Sequence, residues 1–218
     1  MLDIALIEKR FQKEMQYVDR ASDCGSIPYV LVFEKNIACT VRIIIAANLI
    51  LRRFCLEGKM TLILVMDNEC AIGRDGGLLC RLPEDMKRFR ETTQNSVVIM
   101  GRKTYESFPK RPLPNRENIV LSRSEKKIDG AEVYSSVESV LERVKNSEKP
   151  VFIIGGAEIY RQFEPFCDTA LITRVYENFG GDVFFENIEH DNEWELSEVS
   201  PVVETNCHNI RFFKFVKK

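Results

Sequence analysis

Asp85 lies in Leu82-Pro-Glu-Asp-Met-Lys-Arg-Phe-Arg90, a stretch that reads as the opening of an amphipathic helix with one carboxylate in its first turn. Pro83 suits the first helical position, where its missing N–H costs nothing. Asp85, Met86 and Phe89 then recur at helical spacing and can line one side of a cavity. Acidic residues in a first turn commonly do no more than complement the helix dipole, so the weight given to Asp85 depends on its company. Two strand-to-glycine-to-helix junctions supply it, Ile99-Met-Gly-Arg-Lys-Thr104 and Ile153-Ile-Gly-Gly-Ala-Glu-Ile-Tyr160. A glycine at such a corner lets a ligand approach backbone N–H groups and the positive end of a helix, which suits phosphate oxygens. Arg102 and Lys103 add charge beside the first junction, and Ser122-Arg123 adds a hydroxyl and a guanidinium, a set that suits an adenosine phosphate. Neither junction is a Gly-x-Gly-x-x-Gly fingerprint and there is no Walker lysine motif, so a standard Rossmann or P-loop reading fails.

These residues need a scaffold, and from Met60 onward the sequence describes one. Apolar runs of strand length fall at 61–66, 96–100, 118–122, 131–134, 151–154 and 170–175, and helical periodicity falls at 83–90, 101–107, 137–144 and 157–163. Continuous rather than alternating apolar runs indicate strands covered on both faces. Alternation of strands with helices predicts an α/β fold around a largely parallel sheet, and the segments at 194–199 and 210–216 predict an antiparallel C-terminal edge. The loop at 67–81 carries Gly73, Gly76 and Gly77, and three prolines between Phe108 and Arg116 exclude regular structure there.

Composition narrows the function classes. A chain of 218 residues with a net charge of −2 presents neither a nucleic-acid surface nor a membrane-adsorbing one in bulk. Seven cysteines without a Cys-x-x-Cys pair suit reduced thiols in the cytoplasm, and two histidines in polar C-terminal surroundings offer little for metal binding. Residues 1–59 stand apart, with a net +2 against −4 on the remainder. A helix is expected over 1–18. The apolar run at 37–51, interrupted by Arg42 and Asn48, is too short for a membrane span, which needs about 20 apolar residues. This extension is read as a packed or interfacial helix, a weak anchor, or the product of a start codon placed upstream of Met60.

Seven motifs in order carry a resemblance to the dihydrofolate reductase family. They are Ala71-Ile-Gly-Arg-Asp-Gly-Gly77, Leu82-Pro-Glu-Asp85, Val98-Ile-Met-Gly-Arg-Lys-Thr-Tyr-Glu-Ser107, Arg111-Pro-Leu-Pro-Asn-Arg116, Asn118-Ile-Val-Leu-Ser122, Ile154-Gly-Gly-Ala-Glu-Ile-Tyr160 and Gly181-Asp182. The resemblance spans residues 60–218 and excludes 1–59. It implies that family's eight-stranded, mostly parallel central sheet with flanking helices and an antiparallel C-terminal edge. It also implies reduction of 7,8-dihydrofolate to tetrahydrofolate by NADPH, in a cytoplasmic protein that is a monomer, with no nucleic acid, membrane span or metal.

Residue by residue, the resemblance makes Asp85 the lone buried carboxylate that grips the pterin's 2-amino group and ring N–H, acting electrostatically while water delivers the proton to N5. Two carboxylate oxygens match two parallel donors, at about 1.5–3 kcal/mol per charge-assisted bond. Ile63, Met86, Phe89, Phe108, Leu113 and Ile154 become pocket walls, Thr173 a hydrogen-bond partner of Asp85, and Arg116, with Arg111 nearby, the partner of the folate glutamate. Arg102, Lys103, Thr104, Leu121, Ser122 and Arg123 take the adenosine phosphates, while Gly101, Ala157, Glu158 and Ile159 line the corners around Gly155-Gly156, a pair the family holds in a cis peptide. Tyr160 sits beside the nicotinamide and the pterin, next to Val65. Ala71, Ile72, Gly73 and Gly77 belong to a loop that closes over the nicotinamide.

Two departures stand out: Leu79-Cys80 where the family commonly has Pro-Trp, and Leu64-Val65 where it has small residues. Together they predict weakened turnover and altered affinity for diaminopyrimidines. Two other readings are a riboflavin-pathway pyrimidine reductase of the same fold, disfavoured by Asp85 and Arg116, and a folate-binding protein that has lost turnover.

Overall fold

The computed structural model describes residues 60–218, apart from Glu125 and Asn187. The helix expected over 1–18 and the apolar run at 37–51 lie outside the described residues. The sheet is organised around β1 (Met60–Met66), which runs parallel to both of its neighbours, β6 (Val151–Ile153) and β7 (Thr169–Val175). Beyond β6 the parallel order continues through β3 (Val97–Gly101), β4 (Glu117–Leu121) and β5 (Glu132–Tyr134). On the other side, β11 (His208–Lys217) pairs antiparallel with β7. Two short strands share its outer edge: β10 (Val203–Thr205) lies on its first residues and β9 (Trp194–Val199) on its last. The sheet therefore has eight strand positions across, in the order β10-β11-β7-β1-β6-β3-β4-β5, with β9 sharing the outer position of β10 beside β11. The expected antiparallel pairing of the two C-terminal segments is present as β9 on β11, and β10 adds a second short pairing on the same edge.

The apolar runs sort by parity, as the pleat requires. Leu62 and Leu64 of β1 and Val97 and Ile99 of β3 pack on one face with Val140, Leu141 and Val144 of α3 (Val137–Val144) and Ile159 and Phe163 of α4 (Ala157–Phe163). Ile63, Val98 and Met100 point to the other face and meet Tyr105 of α2 (Arg102–Ser107) and Phe89 of α1 (Pro83–Thr92). Covering helices on both faces explain why these strands read as unbroken apolar runs rather than as alternating ones. No helix among the described residues is long and apolar enough to cross a membrane.

The segment expected to be a loop at 67–81 begins with structure. Strand β2 (Ala71–Gly73) pairs antiparallel with β8 (Val183–Phe184), apart from the main sheet. Three residues are too few to show a period, which is why the sequence conceals this pair. Gly181 makes it possible, since a Cβ there would lie 2.6 Å from that of Ala71 and 2.7 Å from the Gly73 carbonyl oxygen.

Candidate active site

Pro83 opens α1 with Glu84 and Asp85 in its first turn, as its sequence predicts. The helix presents Asp85, Arg88 and Phe89 inward, all half-buried, while Met86 is 43% exposed. Arg88 thus joins Asp85 and Phe89 among the half-buried residues of this helix. Residues three and four apart share a helix face, and counting from Asp85 rather than from the apolar positions would have identified it.

Thr173 of β7 donates a hydrogen bond to Asp85 Oδ1 at 2.6 Å. Burial lifts the Asp85 carboxyl above the usual carboxylate range, and the Thr173 bond and the Arg88 charge pull it partly back. Asp85 is not the only sheltered acid. Asp67, at the end of β1, is fully buried and accepts backbone N–H bonds from Glu69, Ala71 and Phe179 at 2.9–3.1 Å. Three main-chain donors stabilise that carboxylate, and through the Ala71 N–H it braces the start of β2. This corrects the expectation of a single buried carboxylate.

The two glycine corners meet. Gly101 ends β3 beside Leu121 of β4, and its N–H donates to the Gly155 carbonyl oxygen at 2.8 Å. Gly101, Leu121-Ser122 and Gly155-Gly156 thus stand side by side at the carboxyl ends of β3, β4 and β6, the place where open α/β sheets take their ligands. The Gly155–Gly156 peptide is cis, as is Arg111–Pro112. Gly155 has φ +103°, and a Cβ there would come within 3.0 Å of the Tyr160 ring. Thr104 places its hydroxyl oxygen 3.5 Å from a Cβ position on Gly156. Ala157 is half-buried and Ile159 buried, while Glu158 is exposed and bonds Arg161 and Gln162 of its own helix. Lys103 and Arg123 are exposed, whereas Arg102 spends one guanidinium nitrogen on both Glu106 carboxylate oxygens, at 2.8 and 2.9 Å.

Tyr160 links the corner to the acid. Its hydroxyl donates to the Ile63 carbonyl oxygen at 2.8 Å, and burial together with the charge of Asp85 pushes its pKa well up. Val65, two residues further along β1, pairs in register with Thr173. Val65, Cys80 and Phe212 all pack against one buried cluster of Leu82, Val175 and Ile210. Burial, then the nearby Asp85, Glu177 and Asp67 charges, push the Cys80 thiol up to about 11.

Arg116 is fixed rather than free. It donates to Thr93 Oγ1 at 2.8 Å, to the Pro114 carbonyl at 2.7 Å and to the Arg90 carbonyl at 2.9 Å, which occupies three of its five N–H donors. Asn118 clamps the preceding loop through Leu113 and Arg116. Arg111 instead donates to the Glu106 carbonyl. An open cleft of about 690 Å³ lies between α2 and this loop, lined by Phe108 and Arg111 but not by Asp85. Phe89, Phe108, Leu113 and Ile154 pack in one cluster with Ile63. The loop after β2 is tied down: Asp75 N–H donates to Asp182 Oδ2 at 3.1 Å, the Asp182 N–H donates to the Gly73 carbonyl at 3.1 Å, and Arg74 and Gly77 bond each other.

A dihydrofolate reductase family model matches residues 59–217. The chain belongs to the dihydrofolate reductase family. Among its relatives is the dihydrofolate reductase of Bacillus subtilis (strain 168), 37% identical over 162 residues, which cover 73% of this chain and 95% of that protein. The dihydrofolate reductase of Haemophilus influenzae is 37% identical over 149 residues, covering 67% and 91% respectively. Among solved structures, dihydrofolate reductase from Enterococcus faecalis complexed with NADP(H) and RAB-propyl superposes with a TM-score of 0.68 at 32% identity, covering 75% of this chain and 98% of the other. The dihydrofolate reductase match leaves out residues 1–58.

Proposed function

We propose that this chain reduces 7,8-dihydrofolate to 5,6,7,8-tetrahydrofolate, with Asp85 as the catalytic carboxylate and the two glycine corners as the NADPH site. One connected arrangement supports the reading: Gly155 abuts the Tyr160 ring, Tyr160 bonds Ile63, and two residues along the same strand Val65 pairs with Thr173, which bonds Asp85. A dinucleotide corner and a sheltered acid thus share one strand end. NADPH, when bound, is the source of the hydride that reaches C6 of the pterin.

The rest is the work of this chain's side chains. Asp85, ionised, accepts the pterin's 2-amino and ring N–H donors, which fixes the ring and places negative charge near the N5 that gains a proton. Thr173 holds the carboxylate in orientation. Phe89, Phe108, Leu113 and Ile154 exclude water from the ring and its aryl tail, and Arg116, braced by three protein contacts, presents its remaining donors to the glutamate carboxylate. Gly101 and Gly156 allow backbone N–H groups to come close to the cofactor phosphates, while Arg102, Lys103, Thr104, Ser122 and Arg123 supply charge and hydroxyls. Four free thiols among the described residues suit a reducing compartment, and we assign the protein to the cytoplasm as a monomer.

Loss of NADPH absorbance on adding dihydrofolate tests the reading. Consumption that requires both compounds supports it. Tight folate binding without consumption would leave a binding protein, and consumption with a ribosylaminopyrimidine alone would favour the pyrimidine reductase.

A further inference from the structure

Arg88 has no part in the motifs of the sequence, yet the fold places it beside the acid. It lies three residues on from Asp85 on the inward face of α1, and its guanidinium carbon sits 4.3 Å from the centroid of the Phe212 ring. Phe212 is the cross-strand partner of Thr173, and Thr173 bonds Asp85. Asp85, Thr173, Phe212 and Arg88 therefore form a closed circuit of neighbours, and stacking on an aromatic face holds the guanidinium in place. The other charged or titratable groups around this circuit are Glu198 of β9, paired with Lys214 of β11 at 2.6 Å, and Cys80 and Tyr160, which sense the charge of Asp85. Arg88 and Asp85 attract each other: each favours the charged form of its partner.

We propose that Arg88 is a specificity-determining residue that makes the pocket favour the neutral dihydropterin over cationic heterocycles of the same shape. The proposal rests on the assignment of Asp85 to the pterin. A neutral pterin pairs with the carboxylate and leaves its negative charge in place, so the attraction between Arg88 and Asp85 survives in the complex. A 2,4-diaminopyrimidine offers the same two parallel donors but forms its pair as a cation facing a carboxylate, and the net charge of that pair is zero. Arg88 then loses its partner and faces a second positive charge. The sign does not depend on whether the proton came with the ligand or from Asp85, because the complex has the same composition either way. For unit charges a helical turn apart in a half-buried setting, the discrimination amounts to roughly three- to tenfold.

The test is the ratio of two affinities, measured by calorimetry with NADP+ present: 2,4-diamino-5-benzylpyrimidine against dihydrofolate, for the parent, Arg88→Met and Arg88→Lys. The expected result is a ratio shifted towards the diaminopyrimidine by roughly three- to tenfold in Arg88→Met and parent-like in Arg88→Lys. A ratio unchanged or shifted the other way in Arg88→Met overturns the proposal, as does a Lys variant that behaves like Met. General loosening of the pocket weakens both ligands and does not move the ratio. If Arg88→Met does not fold, Arg88→Gln carries the same expectation. Reduction of dihydrofolate by the parent keeps the enzyme assignment whichever way the ratio moves.

Discussion

Thr173 and Asp85, 88 positions apart in the chain, are joined by a hydrogen bond of 2.6 Å that ties the first turn of α1 to the centre of the sheet. The hydroxyl donates, so it favours the ionised carboxylate and opposes the effect of burial. A Thr173→Val variant keeps the shape and loses the donor. The Asp85 pKa should then rise further, and the acidic limb of the kcat/KM profile for dihydrofolate should move to higher pH. A bond to a charged group is worth about 1.5–3 kcal/mol, so the limb should move by roughly one to two pH units. An unmoved limb would show that the hydroxyl does not tune the acid.

The same burial has a consequence for stability. An acid whose folded pKa lies above its unfolded value binds more protons when folded, so its contribution to stability is full below the unfolded pKa and is lost as pH rises through the folded one. Asp85 is such an acid. Without ligands, Asp85→Asn should therefore melt higher than the parent at neutral pH, and the gap should close as pH falls through the raised pKa of folded Asp85 and be gone by the ordinary carboxylate value. Thermal melts at several pH values check this.

Gly155 has φ +103° and no room for a side chain, since a Cβ would sit 3.0–3.1 Å from the Tyr160 ring. Gly155→Ala should cost about 1–3 kcal/mol of stability and weaken NADPH binding by displacing the tyrosine. Chemical denaturation and a cofactor titration on the same variant would show both effects. Tight NADPH binding by the alanine variant would remove the corner from the cofactor site.

Cys80 and Cys207 should separate cleanly under alkylation. Burial and nearby carboxylates keep the Cys80 thiol protonated until about pH 11, whereas Cys207 is exposed. Iodoacetamide at mildly alkaline pH should label Cys207 first and leave Cys80 largely intact, as read by peptide mass spectrometry. Replacing Cys80 by Trp should raise turnover and change diaminopyrimidine affinity, because the larger ring adds apolar area beside the Leu82, Val175 and Ile210 cluster and supplies an N–H donor.

The sheet was legible in the sequence because most of its strands are buried on both faces, and Val97–Gly101 or Met60–Met66 can be read as little else. The acid and the glycine corners were legible because each announces itself locally, through Pro83 before Asp85 and through glycines where strands meet helices. Arg88 was not, since an arginine on a helix is ordinarily solvated, and only Phe212, more than a hundred residues later, turns it inward. Asp67 was equally hidden: nothing near it in the chain shows that Phe179 will return to donate its N–H. Such contacts belong to the tertiary fold, where distant strands decide what a polar side chain faces.

The most direct measurement is the turnover of dihydrofolate by the parent and by Asp85→Asn, followed through NADPH absorbance on protein shown to be folded. Loss of the charge should reduce turnover several hundredfold or more, about 3–4 kcal/mol of barrier at tenfold per 1.36 kcal/mol. Near-parental turnover by a folded Asp85→Asn protein would contradict the assignment of Asp85 as the catalytic carboxylate.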